Sequence, residues 1–183
     1  YGAELIVGEQ VEGIEGRNGQ VVAVSTDKGR YAADLVLLAT GLEPGAELAR
    51  SAGIALGQSG AIAVNDRMKT DVAGIWAAGD CIEVKHVVTG EPVYAPLALT
   101  ANRTGRIAGD NVGAQSAGKT SSQRFRGTAG TLIVKVFGFT AAQTGLTLLE
   151  AERAGFSASV FTRQSRTRAS YYPGAESLWS RIV

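Results

Sequence analysis

The chain is poor in the residues that build disulfides and metal sites: its 183 residues include one cysteine, Cys81, and one histidine, His86. A lone thiol cannot close an internal disulfide, and neither residue has a Cys or His neighbour at metal-ligand spacing, so no metal site is expected. No apolar run reaches the roughly 18 residues that span a bilayer. The opening Tyr1-Gly2-Ala3-Glu4 is not the start of a signal peptide, which leaves cytoplasmic residence as the default expectation. An excess of one charge is missing too. Eighteen basic and 17 acidic residues give a formal net charge of +1, no electrostatic basis for a nucleic-acid or anionic-membrane partner. Gly-x-Gly-x-x-Gly, the loop that cradles a dinucleotide pyrophosphate, is also absent. The missing initiator Met suggests a segment of a longer protein.

What the chain does have is a 45% hydrophobic content, enough for one core or two small ones in a soluble globular protein. The opening stretch alternates as short strands over 4–7, 10–14 and 21–25, with Asn18-Gly19 supplying a hairpin turn. Leu35-Val36-Leu37-Leu38-Ala39 is a continuous apolar run of the kind buried on both faces of a sheet, and it ends at Thr40-Gly41. Ile75-Trp76-Ala77-Ala78 repeats that pattern and ends at Gly79-Asp80. After Pro96 the period changes to that of a helix, with Leu97, Ala101, Thr104, Ala108 and Val112 on one side. Gly105 and other small residues there imply close packing.

From Asn111 to Arg126 the composition is that of a linker or exposed loop, and a domain boundary is expected within it. Beyond it, a strand over 131–137 is followed by Thr140 and Gln143 as a candidate capping box. The helix it would open carries Leu146, Leu149 and Arg153, with Gly155 placed to end it. A further strand is expected over 157–162. The arginines between Arg163 and Arg168 form either a solvated edge or a phosphate-binding patch.

The stretch from Thr70 to Asp80, Thr-Asp-Val-Ala-Gly-Ile-Trp-Ala-Ala-Gly-Asp, combines a turn, a buried strand, a glycine and a carboxylate in fixed order. A carboxylate at the end of a strand can accept hydrogen bonds from sugar or ribityl hydroxyls, and the glycine before it lets a ligand approach the backbone. Asp80 could equally cap the segment that follows. As a whole this stretch resembles the second flavin-binding motif of the pyridine nucleotide-disulfide oxidoreductase family. The resemblance implies that Asp80, with Gly79 beside it, holds the ribityl chain of FAD. Upstream, Asp34 to Pro44 is similar to the segment that closes the family's NAD(P)-binding domain, with Gly41 and Pro44 on its pattern. Downstream, Pro96-Leu97-Ala98 and Ala101-Asn102-Arg103-Thr104-Gly105-Arg106 resemble the helix whose N-terminus approaches the flavin ring. Partial positive charge there can stabilise a reduced flavin.

Phe125 onward resembles the opening of the family's dimerisation domain, and Tyr171-Tyr172-Pro173-Gly174-Ala175 is its most discriminating string. In coenzyme A disulfide reductases such a segment lies near the active site of the other subunit. The resemblance thus implies that Tyr171, with Tyr172 in reserve, assists at the substrate; plain aromatic packing before a turn is the alternative. Cys81 is not the family's redox cysteine, which lies further toward the N-terminus than anything present here, and is expected to be an inert, partly buried thiol. His86 is expected to be a surface or satisfied histidine, and Trp76 a packing residue.

The fold implied is α/β: the C-terminal parts of two FAD/NAD(P)-binding Rossmann-like domains, over 1–45 and 46–121, then the start of an α+β dimerisation domain over 122–183. The function implied is that of an FAD-dependent, homodimeric NAD(P)H oxidoreductase acting on coenzyme A disulfide or a related thiol substrate through a cysteine outside this chain. An NADH oxidase reducing dioxygen is the alternative within the family. A non-catalytic dimerisation fragment, unable to bind FAD tightly and prone to associate through open strand edges, is the alternative outside it.

Overall fold

In a computed structural model, which describes residues 2–183, the chain is a mixed α/β protein whose backbone forms two compact units, one ending at Gly41 and the other spanning Leu42–Val183. The first is a three-stranded antiparallel sheet, β1 (Val11–Arg17), β2 (Gln20–Thr26) and β3 (Arg30–Ala32), in the order β1-β2-β3. Asn18 and Gly19 both have positive φ, 52° and 78°, and Arg17 pairs with Gln20 across them. That is the two-residue turn whose twist matches the flanking strands. The second turn is closed by Thr26, whose hydroxyl accepts from the Gly29 amide at 3.0 Å. Glu9 accepts from the Tyr31 hydroxyl at 2.9 Å and raises its pKa, chiefly through that bond.

Two expected strands do not form in this unit. Residues 4–7 are irregular and exposed, and the apolar run Leu35–Ala39 is neither a strand nor buried: Leu35 and Leu37 are 80% and 84% exposed. Apolar sequence alone does not make a strand, because its amide and carbonyl groups need a ladder partner, and no described strand pairs with this run.

The second unit is built on a core of Ala46, Ala49, Ile62, Met68, Ile82, Val84 and Phe125. Around it lie α1 (Glu47–Ser51), the hairpin β4 (Glu83–Lys85) and β5 (Pro92–Tyr94), and the long helix α2 (Ala98–Ser116). Then come the hairpin β6 (Leu132–Val136) and β7 (Phe139–Gln143), α3 (Leu148–Arg153), and the hairpin β8 (Phe161–Arg166) and β9 (Ser177–Ile182). All three helices among the described residues stop in the same way, with glycine at positive φ one residue beyond the C-cap: Gly53, Gly118 and Gly155. In α2 the Lys119 amide reaches back to the Ala114 carbonyl at 2.8 Å, satisfying a terminal acceptor.

Four expectations change here. Helix α2 continues to Ser116, through the first part of the expected linker, and the remainder is fastened to the core. Asn111 donates to the Gln123 carbonyl at 3.1 Å, the Phe125 amide to the Asp66 carbonyl at 2.7 Å, and Arg124 pairs with Asp66 at 2.6 Å. Composition marks a polar segment, but side-chain bonds from α2 decide that it is held. The buried face of α2 is also turned from the expected one: Thr100, Thr104 and Asn111 are buried, while Gly105 and Val112 are exposed.

Thr140 and Gln143 belong to strand β7, not to a helix cap. The capping box is Thr147 with Glu150, whose side chains accept from each other's backbone amides at 3.3 and 2.7 Å. Strand β6 needs a hydrogen-bonding partner, and a hairpin turn at residues 137–138 supplies one before any helix can start. The last expected strand lies further along the chain, at Phe161–Arg166, where it pairs with β9.

Candidate functional site

The segment leading to Asp80 is not a regular strand. It folds back on residues 68–70: the Ala77 amide donates to the Met68 carbonyl and the Thr70 amide to the Ile75 carbonyl, both at 3.1 Å, around a turn at Gly74 with φ 81°. A single parallel bridge, Ile62 to Ile82, fixes its far end. The expected strand at 75–78 therefore reduces to one bridge, Lys69 to Trp76, since no longer neighbour is available to pair with it among the described residues. Trp76 packs on the edge of the core with Lys69 Nζ 5.1 Å from its ring centroid, which bears out a packing role.

Gly79 has φ 92°, a conformation that favours glycine, and the space where a Cβ would stand is open. Its amide donates to Thr104 Oγ at 3.2 Å. Thr104 is fully buried and its own hydroxyl donates back to the Thr100 carbonyl at 2.8 Å, so α2 holds the Gly79 backbone through a rigid side chain. Thr104 emerges as a positioning residue that periodicity registered only as part of a small-residue face. Asp80, next along, is exposed and has no hydrogen-bond or ion-pair partner among the described residues. No helix follows it, so it is not an N-cap.

Helix α2, which holds the Gly79 amide through Thr104, begins at Ala98. Leu97 is its N-cap, extended at φ −120° and ψ 130°, with no side-chain cap and no acidic residue in the first turn. The leading amides are thus left to an outside acceptor. Pro96 sets the extended entry and Ala98 is the first helical residue, so Gly79, Asp80, Pro96, Leu97 and Ala98 belong to one unit around one helix. Gly41 closes the other unit, with φ 111° and open space at its Cβ position.

Tyr171 and Tyr172 stand in the loop joining β8 to β9, with ring centroids 5.4 Å apart and 83% and 57% exposed. Gly174, at φ 72°, turns the chain, and Arg166 and Arg168 donate to the carbonyls of Ala175 and Pro173. The arginines of this stretch brace a hairpin and its loop; Arg163 pairs by backbone with Ser180. No hydrogen bond or ring contact among the described residues links either tyrosine to Asp80 or α2.

Cys81 is partly buried, with its Sγ 3.4 Å from the Ala78 carbonyl. His86 is buried in the bridge to Thr128, its Nδ1 accepting from the Thr89 amide at 3.4 Å, and is thus a satisfied histidine. No helix of the described residues is long and apolar enough to cross a membrane.

Residues 2–105 match the family described as pyridine nucleotide-disulphide oxidoreductase. Over 93% of its length the chain is 43% identical to a CoA-dependent NAD(P)H sulfur oxidoreductase of Pyrococcus abyssi, covering 36% of that protein. It is 32% identical over its whole length to an NADH oxidase of Methanocaldococcus jannaschii, covering 39% of it. Among solved structures, an NAD-dependent persulfide reductase from A. fulgidus superposes with a TM-score of 0.86 at 37% identity, over 93% of this chain and 30% of that one. The chain therefore spans little more than a third of the curated relatives it matches. With more than half of its residues inside the family match, it belongs to the pyridine nucleotide-disulphide oxidoreductase family.

Proposed function

We propose that this chain is the part of an FAD-dependent NAD(P)H oxidoreductase that grips the flavin's ribityl chain and pyrimidine edge, in an enzyme acting on coenzyme A disulfide or a related CoA-linked sulfur substrate. The observation that carries it is the exposed, unpartnered carboxylate of Asp80 beside a glycine with no Cβ obstruction, anchored by a buried threonine to an uncapped helix.

These residues fit the group. Asp80 is an acceptor for ribityl hydroxyls, Gly79 leaves room for close approach, and the first amides of α2, following Pro96, Leu97 and Ala98, face anionic charge favourably. Bound there, FAD would supply the two-electron relay between NAD(P)H and a disulfide. The chain's own part is to hold and orient. Thr104 keeps the Gly79 amide from turning, which fixes the direction of the Asp80 backbone, and α2 supplies a fixed dipole that needs no reorganisation.

Tyr171 is proposed to assist at the substrate of a partner subunit, and its exposure supports that role over packing. A phenol can donate a hydrogen bond to a sulfur anion, though a free one with pKa about 10 needs help from its surroundings to give up its proton. Residues 1–45, 46–121 and 122–183 are assigned to the end of the NAD(P)-binding domain, the flavin-binding domain and the start of a dimerisation domain. NADH oxidase activity is the second reading, favoured by the M. jannaschii relative.

The test is anaerobic NAD(P)H consumption by the full-length polypeptide with coenzyme A disulfide. Release of free thiol, lost with flavin absorbance in Asp80→Ala and slowed at full flavin content in Tyr171→Phe, is the expected result. Turnover only with dioxygen would move the assignment to the oxidase. Full flavin content in Asp80→Ala would remove the ribityl role.

A further inference from the structure

The turn at residues 65–69 holds a buried side chain in a backbone conformation that side chains avoid. Met68 is 1% exposed and has φ 63°, in the left-handed region where a Cβ crowds the following carbonyl. The other non-glycine residues with positive φ among the described residues, Asn18 and Phe137, stand in two-residue hairpin turns. Met68 stands in no hairpin. Strain of this kind persists only where the surroundings over-determine it.

Asn65 supplies that constraint. Its Oδ1 accepts from the Arg67 amide at 2.9 Å and from the Lys69 amide at 3.1 Å. Its carbonyl accepts from the Met68 amide and its own amide donates to the Lys69 carbonyl, both at 2.9 Å. One residue thus grips the backbone on both sides of Met68, through the short side-chain bonds that favour asparagine in turns. Asn65 is exposed and has no place in the apolar core, so these bonds serve the shape of the turn.

The same turn touches both parts of the flavin grip proposed above. The Met68 carbonyl accepts from the Ala77 amide at 3.1 Å, two residues before Gly79, and Lys69 bridges to Trp76. On its other side Arg67 donates to Asn111 at 3.3 Å and Lys69 Nζ to Gln115 at 2.8 Å, both on α2. Relaxation of Met68 to an ordinary φ would swing its carbonyl away from Ala77. The segment carrying Asp80 would then keep its bonds at Gly79 and Cys81 but lose the one that leads into them.

We propose that Asn65 is a positioning residue for the flavin site: by holding Met68 in the left-handed conformation, it fixes the Asp80 carboxylate relative to α2. This rests on the flavin reading and names a residue through which it works. The experiment titrates the full-length protein, freed of flavin, with FAD. Asn65→Ala is expected to weaken FAD about tenfold, and Asn65→Asp, which keeps an acceptor oxygen for both amides, to restore affinity to within about twofold. Unaltered affinity in Asn65→Ala, or an equal loss in both variants, would overturn the proposal. Asp80→Ala, titrated alongside, separates the two readings. Undiminished affinity there removes the ribityl role and this proposal with it, whereas a loss in Asp80→Ala with none in Asn65→Ala removes this proposal alone. Should Asn65→Ala fail to fold, amide exchange in the unaltered protein decides. Linkage requires bound FAD to slow exchange at the Arg67, Lys69 and Ala77 amides, and exchange there that is indifferent to FAD would overturn the role.

Discussion

Residues 46–128 and residues 131–183 belong to the same compact unit, yet one part has a core and the other does not. In the first, seven apolar side chains are buried together and Glu83, Thr100, Thr104 and Asn111 are buried beside them. In the second, Ala151 is the one described residue classed as buried, and every residue of β6 and β7 is exposed, including Ile133 at 74% and Phe139 at 74%. The two hairpins stand on their turns and ladder bonds. Local geometry is sufficient to pair two strands, whereas burial needs neighbours from distant parts of the sequence. Two-stranded ribbons with an apolar surface are marginal unless something covers them, which is consistent with the dimerisation role proposed above for this part.

The largest effect that would break this contrast is expected at Gly127. It sits at φ 111°, and a Cβ there would stand 2.5 Å from the Lys85 carbonyl oxygen, against backbone that cannot swing away. Gly127→Ala should cost about 3 kcal/mol or more through strain and overpacking combined, read as a fall in melting temperature. It should also loosen the bridge between His86 and Thr128.

A core truncation and a hairpin truncation sharpen the same comparison. Met68 is 1% exposed, and Met68→Ala should destabilise by about 2–5 kcal/mol in denaturant unfolding. Phe139→Ala, at an exposed site, should stay within about 0.5 kcal/mol for the isolated subunit and, if the proposed dimerisation role holds, weaken self-association in sedimentation. Equal losses of stability at the two positions would mean that the hairpin is packed within its own chain.

The smallest effect lies in α3. Thr147→Ala removes one half of the capping box and should cost about 1 kcal/mol, visible as faster amide exchange at the start of that helix. Hydrogen bonds from the Thr147 amide, and then from its hydroxyl, hold the Glu150 carboxyl below its ordinary pKa of 4.5. A depressed pKa means that this contribution is fully present above the ordinary value and is lost as pH falls through the folded one. The difference in exchange between the original chain and Thr147→Ala should therefore shrink on acidification.

Much of the candidate site was legible from the residues themselves. The order of turn, apolar run, Gly79 and Asp80 marks an exposed carboxylate after a glycine turn, to which the family resemblance adds the proposed ribityl role, and Pro96 announces α2. Asn18-Gly19 predicts its hairpin because both residues tolerate positive φ. Thr104 was not legible as the anchor of Gly79, since a contact across 25 positions leaves no local pattern.

The segments that fold differently from their local pattern share one cause. Leu35–Ala39 and Ile75–Ala78 have the composition of buried strands, and Thr140 with Gln143 has the spacing of a cap, but composition and spacing describe only what a segment favours alone. Turn chemistry and helix ends at glycine are decided within a few residues by backbone sterics and hydrogen-bonding capacity, so the sequence by itself determines them. Strand pairing, the buried face of α2 and the anchoring of Gly79 by Thr104 were decided by the tertiary structure. Each needs a partner from far along the chain, and only folding brings that partner within reach.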